Sequence, residues 1–183
     1  MKRSLALSLT ALVALTGTVG TAQAQTAGTG SVTTTVVGTT LGGGVLSLAG
    51  TGVALVPNGT PGQFVTGASV TALTVQDLTG TDNGWAMTAT YAAPDAGQGI
   101  GGQNIMVSAG DVVPNVLGGV LASQVSTVTD QLLDAPVKVA STGDNPGSGI
   151  TALTSSLKVR LPVTAKVGNV FGGKVVYTVA SVR

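Results

Sequence analysis

The chain contains no cysteine, no histidine and no glutamate. Without cysteine no disulfide can staple it. Without all three, most nucleophile–base pairs and most metal-ligand sets are excluded, so an enzyme is the weak expectation and neither a cofactor nor a metal is expected. Aromatic residues make up only 3% of the sequence and charged residues 8%. What remains is dominated by Gly, Thr, Val and Ala, a composition that suits short strands joined by small-residue turns and fits helices poorly. An apolar content of 43% argues against full disorder.

The first residues have a different character from the rest. Lys2 and Arg3 precede an apolar run from Leu5 to Val19, which closes on Thr21-Ala22-Gln23-Ala24. A charged start, an apolar middle and an A-x-A site together predict a secretory signal peptide over residues 1–24, cleaved after Ala24. The apolar run is shorter than the roughly 20 residues a membrane span needs, and no later segment reaches that length. No transmembrane segment is therefore expected after cleavage. Residues 25–183 leave 183 − 24 = 159 residues, enough for one domain with a real core.

Alternation at period two recurs along this domain. The richest stretch is Thr71–Tyr91, where Leu73 and Val75, with Val70 just before the stretch, precede a turn and Trp85, Met87, Ala89 and Tyr91 follow it. Asn83-Gly84 supplies the positive-φ residues of a tight connection, so the stretch is expected to be a core hairpin. Ser31–Val37 forms a β-prone arm, and Leu157–Leu161 alternates with Lys158 and Arg160 as a strand with one wet face. Val170–Val182 ends the chain as a further strand. Asp111–Asp134 is mixed, with Pro114 against a long helix and a short helix or turn expected near Gln131–Leu133. Many short strands with turns between them predict an all-β fold, an antiparallel β-sandwich.

Charge is divided along the chain. Six aspartates and no cation lie in residues 25–137, a balance of −6, whereas residues 138–183 carry 6 − 1 = +5. No aromatics are interleaved with the basic residues, so nucleic acid is not an expected partner. Pairing between strands of the two halves accounts for the division most simply. Head-to-tail contact between copies is the alternative.

Several short motifs match chemistry only formally. Gly97–Gly102 fits G-x-G-x-x-G but sits in a Pro/Gly loop. Ser155-Ser156-Leu157-Lys158 fits S-x-x-K without the S-D-N and K-T-G elements that accompany it. Leu161–Ala165 contains L-P-x-T, but Lys166 and Lys174 interrupt the apolar segment a sorting signal needs. Asn58-Gly59-Thr60 fits the glycosylation sequon within a turn cluster. Asp77, Asp82 and Asn83 offer oxygen ligands, yet Asp-Asn-Gly is what a turn requires in any case. Asp130 and Asp134 are a carboxylate pair by spacing alone.

The central stretch Val75-Gln76-Asp77-Leu78-Thr79-Gly80-Thr81-Asp82-Asn83-Gly84-Trp85-Ala86-Met87 resembles the first signature of WxL-type surface domains. Val75, Asp77, Gly80, Gly84 and Trp85 match it, and Met87 stands where that family has leucine. The second signature corresponds to Phe171–Val179, with Tyr177 and Val179 in place of tryptophan and leucine. The resemblance implies a β-rich domain attached non-covalently to the cell wall, with peptidoglycan as partner. Trp85, Met87, Tyr91 and Tyr177 then become candidate binding residues, with Asp77, Gly80, Asp82, Asn83 and Gly84 shaping the turn. Trp85 is either a sugar-stacking surface or a core side chain. The leading expectation is thus a secreted, non-catalytic cell-envelope protein that associates with peptidoglycan or other envelope proteins. The alternative is a structural subunit of a surface layer or filament, self-associating when the Ser31–Val37 arm adds to a neighbour's sheet edge.

Overall fold

A computed structural model describes residues 29–37, 46–50, 54–55, 61–80, 83–95, 97–114, 120–143, 149–166 and 169–182. The expected signal peptide, the sequon and Asp82 lie outside the described residues. Strands run in chain order as β1 (Thr29–Val37), β2 (Leu46–Gly50), β3 (Ala54–Leu55) and β4 (Val65–Asp77). Next come β5 (Trp85–Ala92), β6 (Gln98–Gly99), β7 (Ile105–Pro114) and β8 (Val125–Thr127). The last are β9 (Gln131–Leu132), β10 (Val137–Thr142), β11 (Gly149–Val159) and β12 (Val170–Ser181). The only helical pieces among the described residues are two 3-10 turns, Gly102–Asn104 and Ala122–Gln124.

The fold is an all-β sandwich of two sheets. One sheet has the order β3-β1-β12-β5-β10-β8, with β6 also paired to β12, and the other has the order β2-β4-β11-β7-β9. Burial alternates along β11 and β12, as period two demands when one face is dry. On β12, Phe171, Val175, Tyr177 and Val179 are buried, while Lys174, Val176 and Thr178 point outward. On β11, Leu153, Leu157 and Val159 do the same against Lys158. The inward residues of both sheets form one continuous core.

The sandwich is the expected one, with the second sheet antiparallel throughout and the first mixed at its edge, where β1 and β6 both run parallel to β12. One expectation needs correction: the Thr71–Tyr91 stretch is not a hairpin. β4 pairs with β2 and β11, whereas β5 pairs with β12 and β10, so the chain crosses from one sheet to the other between them. A hairpin's inward side chains lie side by side in one sheet. Here Leu73 and Val75 belong to the opposite wall of the core from Trp85 and Met87.

The connection shows why. Seven residues, 78–84, separate the strands, more than a two-residue hairpin turn uses. At its start, Oδ1 of the buried Asp77 accepts the backbone N–H of Thr79 at 3.1 Å and the Thr79 hydroxyl at 2.6 Å, which closes an Asx turn and ends β4. At its end, Gly84 has φ of 70° and lies so close to β10 that a Cβ would meet Gly143 O at 2.6 Å and Thr142 Oγ1 at 2.8 Å. Only glycine fits there. The N–H of Trp85 then donates to Thr142 Oγ1 at 2.9 Å, joining the start of β5 to β10.

A second crossing closes the other flank. β8 belongs to the first sheet and β9 to the second, with Val128 between them. Its N–H donates to Val139 O at 3.2 Å, and its carbonyl accepts the N–H of Ala109 at 2.9 Å, so one residue bonds to both sheets. Asp130 follows at φ of 52°, a left-handed conformation that aspartate tolerates better than most residues. The segment near Gln131–Leu133 is therefore a short strand and a turn, not a helix.

Candidate functional site

The two signature-like stretches come together in the structure. β5 and β12 pair antiparallel, with Trp85 opposite Ser181, Met87 opposite Val179 and Ala89 opposite Tyr177. Residues about 90 apart in sequence thus form one seam at the centre of the first sheet. Gly84 and the Asp77 turn deliver β5 to that seam, and Val182 N–H bonds back to Gly84 O at 3.3 Å.

The seam faces the core. Trp85 is 1% exposed, and Met87 and Tyr177 are fully buried. These three side chains offer no surface to a polymer; the burial makes Trp85 a core tryptophan. Tyr91 is half-buried and packs against the same core. Its ring occupies space left by Gly173, where a Cβ would meet the ring at 2.7 Å, and its hydroxyl accepts Gly101 N–H at 3.2 Å. The turn residues Asp77, Gly80, Asn83 and Gly84 shape the crossing between sheets.

Tyr177 brings a hydroxyl into the core. It lies 2.7 Å from Ser155 Oγ on β11, a bond between the two sheets, and Ser155 Oγ donates in turn to Ser108 O at 3.0 Å. Burial pushes the Tyr177 phenol up to about 12, with the Ser155 hydrogen bond pulling weakly the other way. On β11, the strand of Ser155, the buried Thr151 hydroxyl has no partner among the described residues.

Ser108 also anchors a polar corner at the surface. Its Oγ donates to Asp130 Oδ1 at 3.1 Å and accepts the Asp130 N–H at 2.9 Å, while Lys158 Nζ reaches Asp130 Oδ2 at 2.6 Å. The Lys158 hydrogen bond, and then the Ser108 one, hold the Asp130 carboxyl below its ordinary value. Asp130 is thus ionised at neutral pH and has no proton to give as a general acid. Asp134, its partner by sequence spacing, is exposed on the far side of β9. Nothing in the chain around Ser108 marks it out; only the β7–β9 pairing brings it to Asp130.

The formal motifs dissolve on the same geometry. Ser155 and Lys158 are three apart on a strand, so they point to opposite faces of the sheet and form no serine–lysine pair. In the glycine loop, Gln98–Gly99 is a strand and Gly102–Asn104 a single 3-10 turn, so no helix N-terminus opens onto it. Leu161 of the L-P-x-T match is core. Arg160 is held by Asn104 Oδ1 at 2.9 Å and stacks over the Phe64 ring at 4.6 Å. Two of the charges that divide along the chain meet across it: Lys158 pairs with Asp130 and Lys174 with Asp95, each a C-terminal cation on an N-terminal carboxylate. Among the described residues no group of three or more acidic, histidine or cysteine side chains could hold a metal. No described helix is long and apolar enough to cross a membrane.

No family model matches this chain, and no curated protein matches it.

Proposed function

We propose that the chain is an exported, non-catalytic β-sandwich that associates non-covalently with the cell surface, with peptidoglycan as its partner. The observation that carries this reading is the in-register pairing of the two signature-like strands, which makes one structural unit of the stretches resembling WxL domains. The export pattern of residues 1–24 supports it from the sequence.

Because the seam's large side chains are internal, the contact falls on the outward residues of the same strands. Thr88 lies opposite Thr178, Thr90 opposite Val176, and Lys138 beside Thr88 on β10. Threonine hydroxyls suit a polymer rich in hydroxyl groups, and the ammonium of Lys138 suits its carboxylates. The test is a pull-down of residues 25–183 on purified sacculi, beside a Thr178→Arg variant whose fold is checked by circular dichroism. Binding by the wild type and loss in the folded variant is the expected result. Failure of the wild type to bind would end the proposal, and unchanged binding by Thr178→Arg would move the contact off this face.

A further inference from the structure

Strand β1 is joined to the molecule unlike any other long strand. It runs parallel to β12 over nine register pairs, from Thr29 opposite Val170 to Val37 opposite Thr178. No local turn holds it there, since its partner lies more than 130 residues away in sequence. On its other side it pairs with β3 only at Val32 and Thr33. Its onward join to β2 is residues 38–45, four of which are glycine. Eight residues reach at most about 26–29 Å, more than twice the roughly 10 Å between packed sheets.

We propose that β1 is an exchangeable strand: the Thr29–Val37 segment of one copy pairs with β12 of a second copy in the register it has within its own chain. The occupant of the β12 edge is thus another molecule of this protein. All nine pairs are the same in either arrangement, so their hydrogen bonds do not favour one over the other. What differs is the path of the join and the entropy of bringing two chains together. Exchange is therefore governed by local concentration. Without β1, one edge of β12 carries a row of unpaired backbone groups, a ready template for a strand of matching register. Reciprocal exchange gives a closed dimer, and one-way exchange gives a chain of subunits. The inference goes beyond the wall-binding proposal and holds whatever the outward face contacts.

The absence of cysteine gives a direct test. Thr35 is in register with Val176. Two single variants of residues 25–183, Thr35→Cys and Val176→Cys, are mixed while reduced, incubated at rising concentration and then oxidised. Because neither chain can close a bond on itself, a heterodisulfide reports pairing in trans. Its yield is expected to rise with concentration and to exceed several-fold that of a control mixture of Thr35→Cys with Lys138→Cys, which lies on β10 away from the β1 edge. Adding Thr33→Pro, which removes a backbone donor from β1, is expected to lower the yield to the control level. The double variant Thr35→Cys/Val176→Cys checks the register within one chain. A heterodisulfide no more abundant than the control, with the double variant closing only on itself, would overturn the proposal. Failure of the double variant to close in any form would overturn it too, by removing the pairing on which it rests.

Discussion

Two serines on neighbouring strands do opposite work, and the difference is access of water. Ser155 lies inside the sandwich, where its hydroxyl joins Tyr177 of the facing sheet to a backbone carbonyl of β7. Ser108 lies on the outer face, where its hydroxyl joins a half-exposed aspartate that a half-exposed lysine also contacts. The surface corner holds the charges and the shorter contact, 2.6 Å against 2.7 Å. Even so, the interior is where removal of a group hurts more. A buried polar atom left without a partner bears its full desolvation cost, whereas an exposed one turns to water. Ser155 and Tyr177 thus join the two sheets, whereas Ser108, Asp130 and Lys158 shape a turn at the surface.

The largest effect is expected at the seam itself. Trp85→Ala would remove the only tryptophan from a site that is 1% exposed, between two sheets that cannot close fully over the gap. A loss of about 3–5 kcal/mol is expected from such a truncation. Denaturant unfolding of the variant measures it. A loss below about 1 kcal/mol, in the range of a surface substitution, would show that Trp85 is not the core residue its burial describes.

Next come the two ends of the interior hydrogen bond, which are not equivalent. Tyr177→Phe leaves Ser155 still donating to Ser108 O and should cost about 0.5–1.5 kcal/mol. Ser155→Ala strands the phenol in the core and should cost more, about 1–3 kcal/mol. Equal losses would show that the phenol finds another partner. The same burial gives an alkaline signature. With the Tyr177 pKa raised from 10.0 to about 12, the stabilising contribution is complete below pH 10 and is lost as pH rises towards 12. In a Tyr91→Phe background, which leaves Tyr177 as the only tyrosine, the folded protein is expected to show no tyrosinate absorbance just above pH 10. Tyrosinate appearing there without unfolding would contradict the burial.

These positions also mark what the sequence could and could not reveal. Period-two alternation made most of the long strands legible, because burial on one face leaves that trace in any order of strands. Which strands pair leaves no such trace. The Asn83-Gly84 dipeptide serves a hairpin and an inter-sheet crossing equally well, and only the competition for β4 by β2 and β11 decides between them. The parallel docking of β1 and the meeting of Ser108 with Asp130 are products of that same long-range pairing. Of the candidate binding residues, alternation predicted that Trp85, Met87 and Tyr91 share a side, and the structure puts that side against the core.

The smallest expected effect is at the surface corner, and it sharpens the contrast best through pH. Lys158→Met keeps the length of the side chain and removes its charge, leaving Asp130 with Ser108 and its own turn. Half-exposed pairs of this kind contribute little, and salt screens them. The sign of the remainder follows from the carboxyl. Since Lys158 and Ser108 hold the folded-state pKa of Asp130 below its ordinary 3.8, the stability they contribute is present above that value and is lost as pH falls through the lowered one. Unfolding curves of wild type and variant should therefore differ slightly at neutral pH and low salt, and converge both in acid and in concentrated salt. A difference that survives both conditions would mean that Lys158 acts through the packing of its alkyl stem against β7 and β9, and that the corner is held by contact and not by charge.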